Sequence, residues 1–417
     1  MKTYVDLHIH SKYARATSKD LNLENLEKNA RIKGLGVLGT GDFTHPKWIE
    51  EIKSKLTEDG TGILRSAGGF PFILQTEICL VYKQEGKGRR IHHLILAPSL
   101  DVVDQVSSFL KSKGRVDYDG RPIFGMSSIE LLDRLIEISS DIEIIPAHAW
   151  TPWMSIFGSM SGFNSINDCF KEKAHKIHAI ETGLSSDPPM NFRLKELDSI
   201  TLLSNSDCHS HHPWRLGREA NIFDLKEITY KNIIGAIRNK TVAGTIEVDP
   251  SYGKYHLDGH RACEVALPPK ESIKSGNICP KCRRKLTIGV LHRVEELASR
   301  PEGIIPENAA PFHKVLPLSE IICMINGSAV SSLKTAKTYS ELIERFGNEY
   351  SILLEAPEDE LSKIVDPKLT GAIMMNRKGL IEVTPGYDGE YGIPLMATKK
   401  AVPKPAMMGQ TGLELFM

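Results

Sequence analysis

The side chains best suited to chemistry in this sequence are histidines and acids at the ends of short apolar runs. Residues 5–9 are mostly apolar and include His8, and His10 follows directly. Side chains two positions apart on a β-strand share a face, so these two imidazoles could bind one ion together. Other runs end on an acid or a histidine, and the pair His92 and His93 opens one. The candidate metal ligands are His8, His10, Asp42, His45, Glu77, His93, His148, Asp207 and His209.

Mixed imidazole and carboxylate ligands suit zinc, manganese or iron, whereas oxygen-only sets suit magnesium. Two or three such ions held close together can generate a hydroxide and stabilise both oxygens of a phosphoryl displacement. Any single candidate could be a surface or capping residue, but nine coincidences at strand ends are not expected. The pattern predicts a metalloenzyme with zinc, or alternatively magnesium or manganese, at its catalytic centre.

Helical patterns separate these strands over the first 245 residues. Apolar spacing of three and four positions predicts helices over 23–33, 102–113, 127–139 and 230–239. Alternation of strands and helices is typical of an α/β protein with a parallel sheet or barrel. In such barrels the catalytic groups come from the carboxyl ends of several strands, which is where the candidate ligands lie.

Length and composition limit the class of protein. A chain of 417 residues with 41% hydrophobic residues can form two or three domains. Its 52 basic and 52 acidic residues cancel, so overall charge gives no argument for a nucleic-acid or membrane partner. We find no leader sequence and no apolar run of the ~18 residues that span a bilayer. The seven cysteines fit metal binding better than disulfides. We expect a soluble cytoplasmic protein.

The spacing of one histidine and three cysteines predicts a second, structural metal site. His260-x2-Cys263 is followed after fifteen residues by Cys279-x2-Cys282, which is zinc-ribbon spacing. Two such turns can fold onto one tetrahedral ion and stabilise a module too small for its own core. His256 is the alternative fourth ligand, and three buried thiols are the alternative to a zinc site.

Composition divides the chain into four parts. We assign the metal-dependent domain to residues 1–245, a zinc-binding module to 246–300, a mostly helical domain to 301–394 and a flexible tail to 395–417. Amphipathic patterns predict the helices, and lysines and prolines characterise the tail.

Four motifs resemble the PHP (polymerase and histidinol phosphatase) superfamily: His8-x-His10, the Glu77 strand, Pro146-Ala147-His148 and Ser206-Asp207-x-His209. This resemblance covers residues 1–218 and implies a distorted βα barrel of PHP type, a trinuclear metal centre and phosphoester hydrolysis. It also favours His93 over His92 as the ligand. Phe43 stands where many PHP proteins have a histidine, so that role is assigned to His45.

The barrel, the zinc module and three further segments are together similar to the endonuclease Q family across nearly the whole chain. The segments are residues 181–188, 290–298 and 300–303. The resemblance implies a metal-dependent DNA repair endonuclease that cleaves 5′ of deaminated bases (uracil, hypoxanthine and xanthine) and of abasic sites. The products would be a 3′-hydroxyl and a 5′-phosphate. The rival functions are a small-molecule phosphatase of the histidinol-phosphatase type and a non-catalytic zinc scaffold.

Five charged residues are candidates for contacts with metal or phosphate. Glu181 ends another strand and could touch the metals, and Arg218 could clamp a phosphate. Arg283, Arg284 and Lys285 lie on the second ligand turn of the zinc module, where they could contact DNA phosphates or be solvated surface.

An apolar segment beside the polar site is a candidate for base recognition. Residues 149–158 follow the predicted strand that ends at His148, and Trp153 and Phe157 could stack on a flipped base or plug the barrel mouth. Asp187 could touch the base.

The last residues resemble a clamp-binding box. Gln410, Leu413 and Phe416 have its spacing of a glutamine, an aliphatic and an aromatic residue, and Met417 replaces the usual second aromatic. In such a motif one helical turn fills an apolar pocket on the partner. We therefore expect a sliding clamp (PCNA) as a partner besides damaged DNA, and a frayed tail is the alternative.

Overall fold

The computed structural model describes residues 1–395, so the predicted clamp-binding residues lie outside the described part of the chain. Within it there are seventeen strands and thirteen α-helices. The strands are β1 (Lys2–Asp6), β2 (Val37–Gly39), β3 (Thr57–Glu58), β4 (Leu64–Arg65), β5 (Pro71–Gln84), β6 (Lys87–Ala97), β7 (Ile123–Phe124), β8 (Glu143–Pro146), β9 (Ala179–Glu181), β10 (Thr201–Leu203), β11 (Ala220–Asp224), β12 (Gly244–Glu247), β13 (Asp258–His260), β14 (Val265–Leu267), β15 (Phe312–Lys314), β16 (Glu382–Thr384) and β17 (Ile393–Leu395). The helices are α1 (Leu23–Lys33), α2 (Pro46–Lys55), α3 (Leu100–Lys113), α4 (Ser128–Ile138), α5 (Ile166–Phe170), α6 (Pro188–Asn191), α7 (Tyr230–Arg238), α8 (Pro269–Lys274), α9 (Val290–Leu297), α10 (Leu318–Asn326), α11 (Leu333–Phe346), α12 (Glu358–Leu361) and α13 (Pro367–Arg377).

Seven strands close into a distorted barrel. β1 pairs in parallel with β2, and β2 with β5, whereas β5–β6 and β6–β8 are antiparallel. β8 and β9 are neighbours in the barrel, joined by a hydrogen bond from the Ala149 N–H to the Glu181 carbonyl. β9 pairs in parallel with β10. A parallel bridge between Ile9 and Cys208 joins the ends of β10 and β1. The predicted α/β class and distorted barrel are confirmed, but its strand pairing is mixed.

Side chains on the two faces of these strands form two buried clusters. One contains Val5, Leu7, Leu94 and Leu203 and packs against α7. The other contains residues of α1, α3 and α4 and extends into the helical region. The helices form where apolar residues recur at helical spacing. For example, α1 buries Leu23, Leu26 and Ala30, begins after the Asn22 cap and ends at Gly34.

The sheet of the barrel domain includes strands that lie beyond residue 245, where the sequence predicted the domain boundary. That boundary falls inside β12, which pairs with β11, and β15 from the region assigned to the helical domain pairs in parallel with β12. The zinc module contains the β13–β14 hairpin with α8 and α9. α10 to α13 form the predicted helical region, and the β16–β17 hairpin follows them.

No helix within residues 1–395 combines the length and the apolar character that a membrane span requires.

Candidate metal centre

Four of the predicted ligands converge at one end of the barrel. One potential ligand atom from each of His8, His10, Glu77 and Asp207 lies within 4.8 Å of the other three. His10 Nε2 is 3.3 Å from Glu77 Oε2 and 3.1 Å from Asp207 Oδ1. His8 Nε2 is 3.7 Å from the same Glu77 oxygen. We name these residues the first ligand group.

A second ligand group shares Glu77 and adds two histidines. Glu77 Oε1 is 2.7 Å from His92 Nδ1 and 3.0 Å from His148 Nε2. One carboxylate thus presents one oxygen to each group. Two neighbouring cations could be bound with Glu77 between them, which is the arrangement of two-metal hydrolytic sites.

Buried ligand atoms without partners show that these residues fit a metal. His8 Nε2, His10 Nε2 and Asp207 Oδ1 are buried and make no hydrogen bond of acceptable geometry to the described residues. Each such atom costs on the order of 1–3 kcal/mol, and one cation placed among them would satisfy all three. Imidazole and carboxylate donors suit zinc, manganese or iron.

Carboxylates behind the two histidines fix the orientation of their rings. His8 Nδ1 is 3.0 Å from both oxygens of Glu181, and His10 Nδ1 is 2.9 Å from Asp42 Oδ1. The other oxygen of Asp42 accepts hydrogen bonds from the Ser11 N–H and hydroxyl. A carboxylate on Nδ1 keeps the proton there and leaves Nε2 free for a metal. Asp42, predicted as a direct ligand, therefore acts behind His10, because both of its oxygens are already occupied.

The charges of the site set its protonation. Burial lowers the pKa of His8, but the carboxylates of Glu181, Asp207 and Glu77 outweigh it and raise that pKa well above its usual value. Burial raises the pKa of Glu77, but the nearby His92, Arg121 and His8 hold it well below its usual range. Glu77 is therefore ionised. Metal binding must displace a proton from His8, so it releases a proton.

Three residues at the ends of barrel strands have a left-handed backbone. The φ angle is 38° at Asp42, 31° at His148 and 44° at Asp207. A non-glycine residue in this region costs on the order of 1–3 kcal/mol and persists where the surrounding structure enforces it, often at functional sites. Here the unusual backbone points the three side chains towards the metal centre.

His92, and not His93, belongs to the metal centre. β5 and β6 are antiparallel, with His92 opposite Cys79 and His93 opposite Ile78. Glu77 and Cys79 are two residues apart, so His92 shares their face and His93 points to the other side. His93 Nε2 is 2.8 Å from Ser128 Oγ instead. The prediction of His93 as a ligand is wrong for this reason.

Two other predicted histidines lie at different distances from the centre. His45 belongs to neither ligand group, and its ring stacks on Tyr13 at 4.5 Å, where it begins α2. Its assignment as a ligand is therefore corrected. His209 borders the first group, with its ring 4.8 Å from that of His10 and its Nε2 3.5 Å from Asp207 Oδ1.

Two candidates for phosphate and base contacts are engaged within the protein. The Arg218 guanidinium donates two hydrogen bonds, of 3.1 and 3.0 Å, to the Ser206 carbonyl and so braces the strand end beside Asp207. Asp187 begins α6 and forms an ion pair of 2.9 Å with Lys314. Because its carboxylate is occupied in this way, the structure does not offer Asp187 to a base.

The two aromatic candidates for base stacking in the segment after His148 differ in their burial. Phe157 is fully buried, with its ring 4.8 Å from that of Trp150. It therefore belongs to the core and is not available for stacking on a base. Trp153 is partly exposed, and its ring meets Tyr255 edge-on at 5.5 Å.

Arg121 is a residue of the site that the sequence did not reveal. Its Nη1 donates a hydrogen bond of 3.1 Å to Glu77 Oε2. It lies in a turn-rich segment just before β7, with no apolar period or motif that distinguishes it. Its place in the metal centre depends on tertiary structure alone.

The predicted zinc ligands also come together. Ligand atoms of His260, Cys263, Cys279 and Cys282 lie within 4.8 Å of one another, and His256 is not among them. Burial raises the pKa of Cys279, but the N–H groups of the second ligand turn outweigh it and lower this pKa to about 6. A thiolate is the form that binds zinc. The basic residues of this turn, Arg283, Arg284 and Lys285, are exposed.

Comparison with known proteins places this geometry in a family. Residues 317–380 match the family model of the MJ0043 C-terminal domain. The chain is 38% identical over 252 residues to the uncharacterised protein MJ0043 of Methanocaldococcus jannaschii, which covers 59% of the chain but only 31% of that protein. It is 28% identical over 415 residues to the uncharacterised protein YqxK of Bacillus subtilis, covering 94% of the chain and 98% of that protein.

Two solved structures match almost the full length. The lesion-specific endonuclease PfuEndoQ from Pyrococcus furiosus is 32% identical, with a TM-score of 0.85 over 94% of this chain and 95% of that chain. Endonuclease Q in complex with a 27-mer duplex that has an abasic lesion at the active site is 32% identical, with a TM-score of 0.84 over 94% and 96% of the two chains. The predicted membership is thereby confirmed, and this chain belongs to the endonuclease Q family of nucleases.

Proposed function

We propose that this protein is a DNA repair endonuclease that hydrolyses the phosphodiester 5′ of abasic sites and of uracil, hypoxanthine and xanthine. The products would be a 3′-hydroxyl and a 5′-phosphate. The observation that carries the proposal is the match, over 94% of the chain, to an endonuclease Q that holds an abasic lesion at its active site. The two ligand groups that share Glu77 give this chain the residues for metal-dependent hydrolysis.

Each residue of the centre has a distinct task in this proposal. Cations bound there would supply Lewis-acid stabilisation of phosphate oxygens and lower the pKa of water. Glu77 and Asp207 hold the negative charge that binds the cations. Glu181 accepts a hydrogen bond from His8 Nδ1, and Asp42 accepts one from His10 Nδ1, so that each Nε2 points into the centre. His92 and His148 complete the second group.

The other parts of the chain would bring the duplex and a partner to this centre. We propose that His260, Cys263, Cys279 and Cys282 hold a structural zinc ion, and that the exposed Arg283, Arg284 and Lys285 contact DNA phosphates. Trp153, which is partly exposed beside the centre, is our candidate for stacking on an extruded base. The C-terminal box would bind a sliding clamp.

A nicking assay tests the proposed function. Duplexes labelled at the 5′ end would carry one abasic site, uracil, hypoxanthine, xanthine or no lesion, and would be incubated with manganese, magnesium, zinc or EDTA. We expect a cut on the 5′ side of each lesion, a product end that a polymerase can extend, and no cut in EDTA. His10→Ala should abolish cutting, whereas His178→Ala should not, because His178 bonds Glu143 at the far end of β8.

The same assay separates the rivals. Hydrolysis of a phosphomonoester without nicking of any duplex would favour a small-molecule phosphatase. Absence of both activities in protein that is loaded with metal would favour a zinc scaffold.

A further inference from the structure

We propose that Arg121 is a catalytic residue that binds the scissile phosphate next to the shared carboxylate. The inference rests on the proposed endonuclease function and deepens it. Arg121 Nη1 is 3.1 Å from Glu77 Oε2, and its side chain is 13% exposed, so its guanidinium lies inside the metal centre. No other arginine or lysine of the described residues contacts a carboxylate of the two ligand groups.

The net charge of the metal-loaded centre would favour binding of an anion next to Arg121. The site has four carboxylates: Glu77 and Asp207 within the first group, and Asp42 and Glu181 behind the histidines. Two divalent cations would neutralise these four charges, and the largely buried Arg121, although it contacts Glu77, would leave the site with a net positive charge. A buried charge is costly unless it is paired. A phosphodiester carries one negative charge and would pair with it.

The geometry of the guanidinium also suits a phosphate. Of the three guanidinium nitrogens of Arg121, only Nη1 makes a hydrogen bond to residues 1–395, which leaves Nε and Nη2 free to donate. Two nitrogens of a guanidinium can bind two phosphate oxygens at once. Arg218 is less suited to this task, because its Nε and Nη2 both donate to the Ser206 carbonyl.

The loop that carries Arg121 is fixed against the metal centre. The Gly120 N–H donates to the Tyr13 carbonyl, and the Asp119 carboxylate accepts from the N–H groups of Arg15 and Arg121. A Cβ atom at Gly120 would overlap the Asp42 carboxylate, so the loop reaches its position only because this residue is glycine. Arg121 is thus preorganised, which is what stabilisation of a transition state requires.

Two substitutions of Arg121 and one matched control test the inference. Arg121→Met removes the charge, whereas Arg121→Lys keeps the charge but lacks the planar guanidinium that can bind two phosphate oxygens. The control, Arg238→Met, removes an arginine paired with the buried Glu143 at the far end of β8. We would measure kcat and KM on the abasic duplex, the metal content, and the affinity of metal-free protein for that duplex by fluorescence anisotropy.

We expect Arg121→Met to lower kcat about 100-fold or more with unchanged metal content, and to weaken binding of the duplex by the metal-free protein severalfold. Arg121→Lys should recover part of kcat, and Arg238→Met should keep it within about threefold.

Two results would overturn the assignment. If Arg121→Met and Arg121→Lys both keep kcat within about threefold of wild type, Arg121 does not bind the reacting phosphate. If Arg121→Met loses metal together with activity, it acts only by positioning Glu77. If the wild type does not cut the duplex, the proposed function fails. The anisotropy comparison would then still decide whether Arg121 binds a phosphate.

Discussion

In His8 and His10 the two ring nitrogens have different surroundings: Nδ1 contacts a carboxylate, and Nε2 faces the metal centre. Glu181 and Asp42 occupy the two Nδ1 atoms at 3.0 and 2.9 Å, so each ring presents Nε2 to the same space between Glu77 and Asp207. A ring held at one nitrogen cannot rotate away, and the carboxylate makes the other nitrogen a stronger metal ligand. These four residues therefore form two rigid pairs, in which Asp42 and Glu181 orient the rings of His10 and His8 without facing the centre themselves.

Substitution of neighbouring histidines on β6 should separate function from stability. His92→Ala removes a ring 2.7 Å from Glu77, so we expect at least a ~100-fold loss of kcat and the loss of bound metal. His93→Ala removes a hydrogen bond to Ser128 and a ring contact with Phe170, so it should cost ~1–3 kcal/mol of stability and leave the metal content unchanged. Metal analysis and denaturant unfolding of both variants measure these effects. A folded His93→Ala protein without metal would contradict this assignment.

The sequence was sufficient to predict candidate ligands that the structure brings together, but it was not sufficient to predict the face of a side chain that depends on strand register. His8, His10, His148 and Asp207 follow apolar runs, and the ends of barrel strands meet at one edge. Glu77 also follows an apolar run, but it lies inside β5 and not at its end. Adjacent residues of a strand face opposite sides, so only the pairing of β6 with β5 decides between the two neighbouring histidines. Likewise, residue type cannot tell a carboxylate that binds an ion from one that binds a histidine.

At the scale of elements, residues at the ends of three strands of the barrel domain, β9, β10 and β12, surround a buried acidic residue. The carboxyl group of Glu247, at the end of β12, accepts hydrogen bonds from the hydroxyls of Thr182, Ser204 and Thr245. Burial raises the pKa of Glu247 to about 8. Burial and the nearby Glu247 also raise the pKa of Glu219 well above its usual value. Both groups therefore favour the protonated form in the folded protein.

The free energy of unfolding should fall as pH rises, because Glu247 keeps its proton in the folded protein but loses it on unfolding. Its pKa is near 4.5 when unfolded and about 8 when folded, so its contribution is complete below pH 4.5 and is lost as pH rises towards 8. Glu247→Gln cannot ionise, and its stability relative to wild type should rise by up to ~1 kcal/mol per pH unit between pH 5 and 8. Urea unfolding of both proteins at several pH values tests this, and a constant difference across that range would refute it.

The element boundaries show what local sequence can and cannot specify. The predicted helix over 23–33 coincides with α1, since apolar spacing, the Asn22 cap and Gly34 all agree. The antiparallel pairing of β5 and β6 was not predicted. Its hairpin turn, Glu85-Gly86, has positive φ at both residues, as a two-residue hairpin requires, and this dipeptide was the available signal. The pairing of β15 with β12 joins segments far apart in sequence, which no local pattern encodes.

At the scale of the whole molecule, a buried ion pair joins the helical region to the barrel. Lys33 at the end of α1 lies 2.7 Å from Glu349, and both side chains are almost fully buried. Glu349 also accepts hydrogen bonds from the Leu318 N–H and the Tyr339 hydroxyl. The next residue, Tyr350, donates its hydroxyl to the Gly217 carbonyl. The helical region is therefore fixed to the loop that precedes β11, close to Arg218 and the strand end that carries Asp207.

The energetic importance of this pair can be measured in a double-mutant cycle. Lys33→Met and Glu349→Gln each leave the partner charge buried without its counter-ion, and each should cost about 3–5 kcal/mol of the free energy of unfolding. The double variant removes both charges and should lose clearly less than the sum of the two single losses. Urea unfolding, followed by fluorescence and by circular dichroism, measures all four proteins. If the pair joins the two regions as described, the wild type should unfold in one transition by both probes. Additive losses would mean that Lys33 and Glu349 contribute independently, and the connection between the helical region and the barrel would then depend on the remaining contacts, chiefly Tyr350 with Gly217.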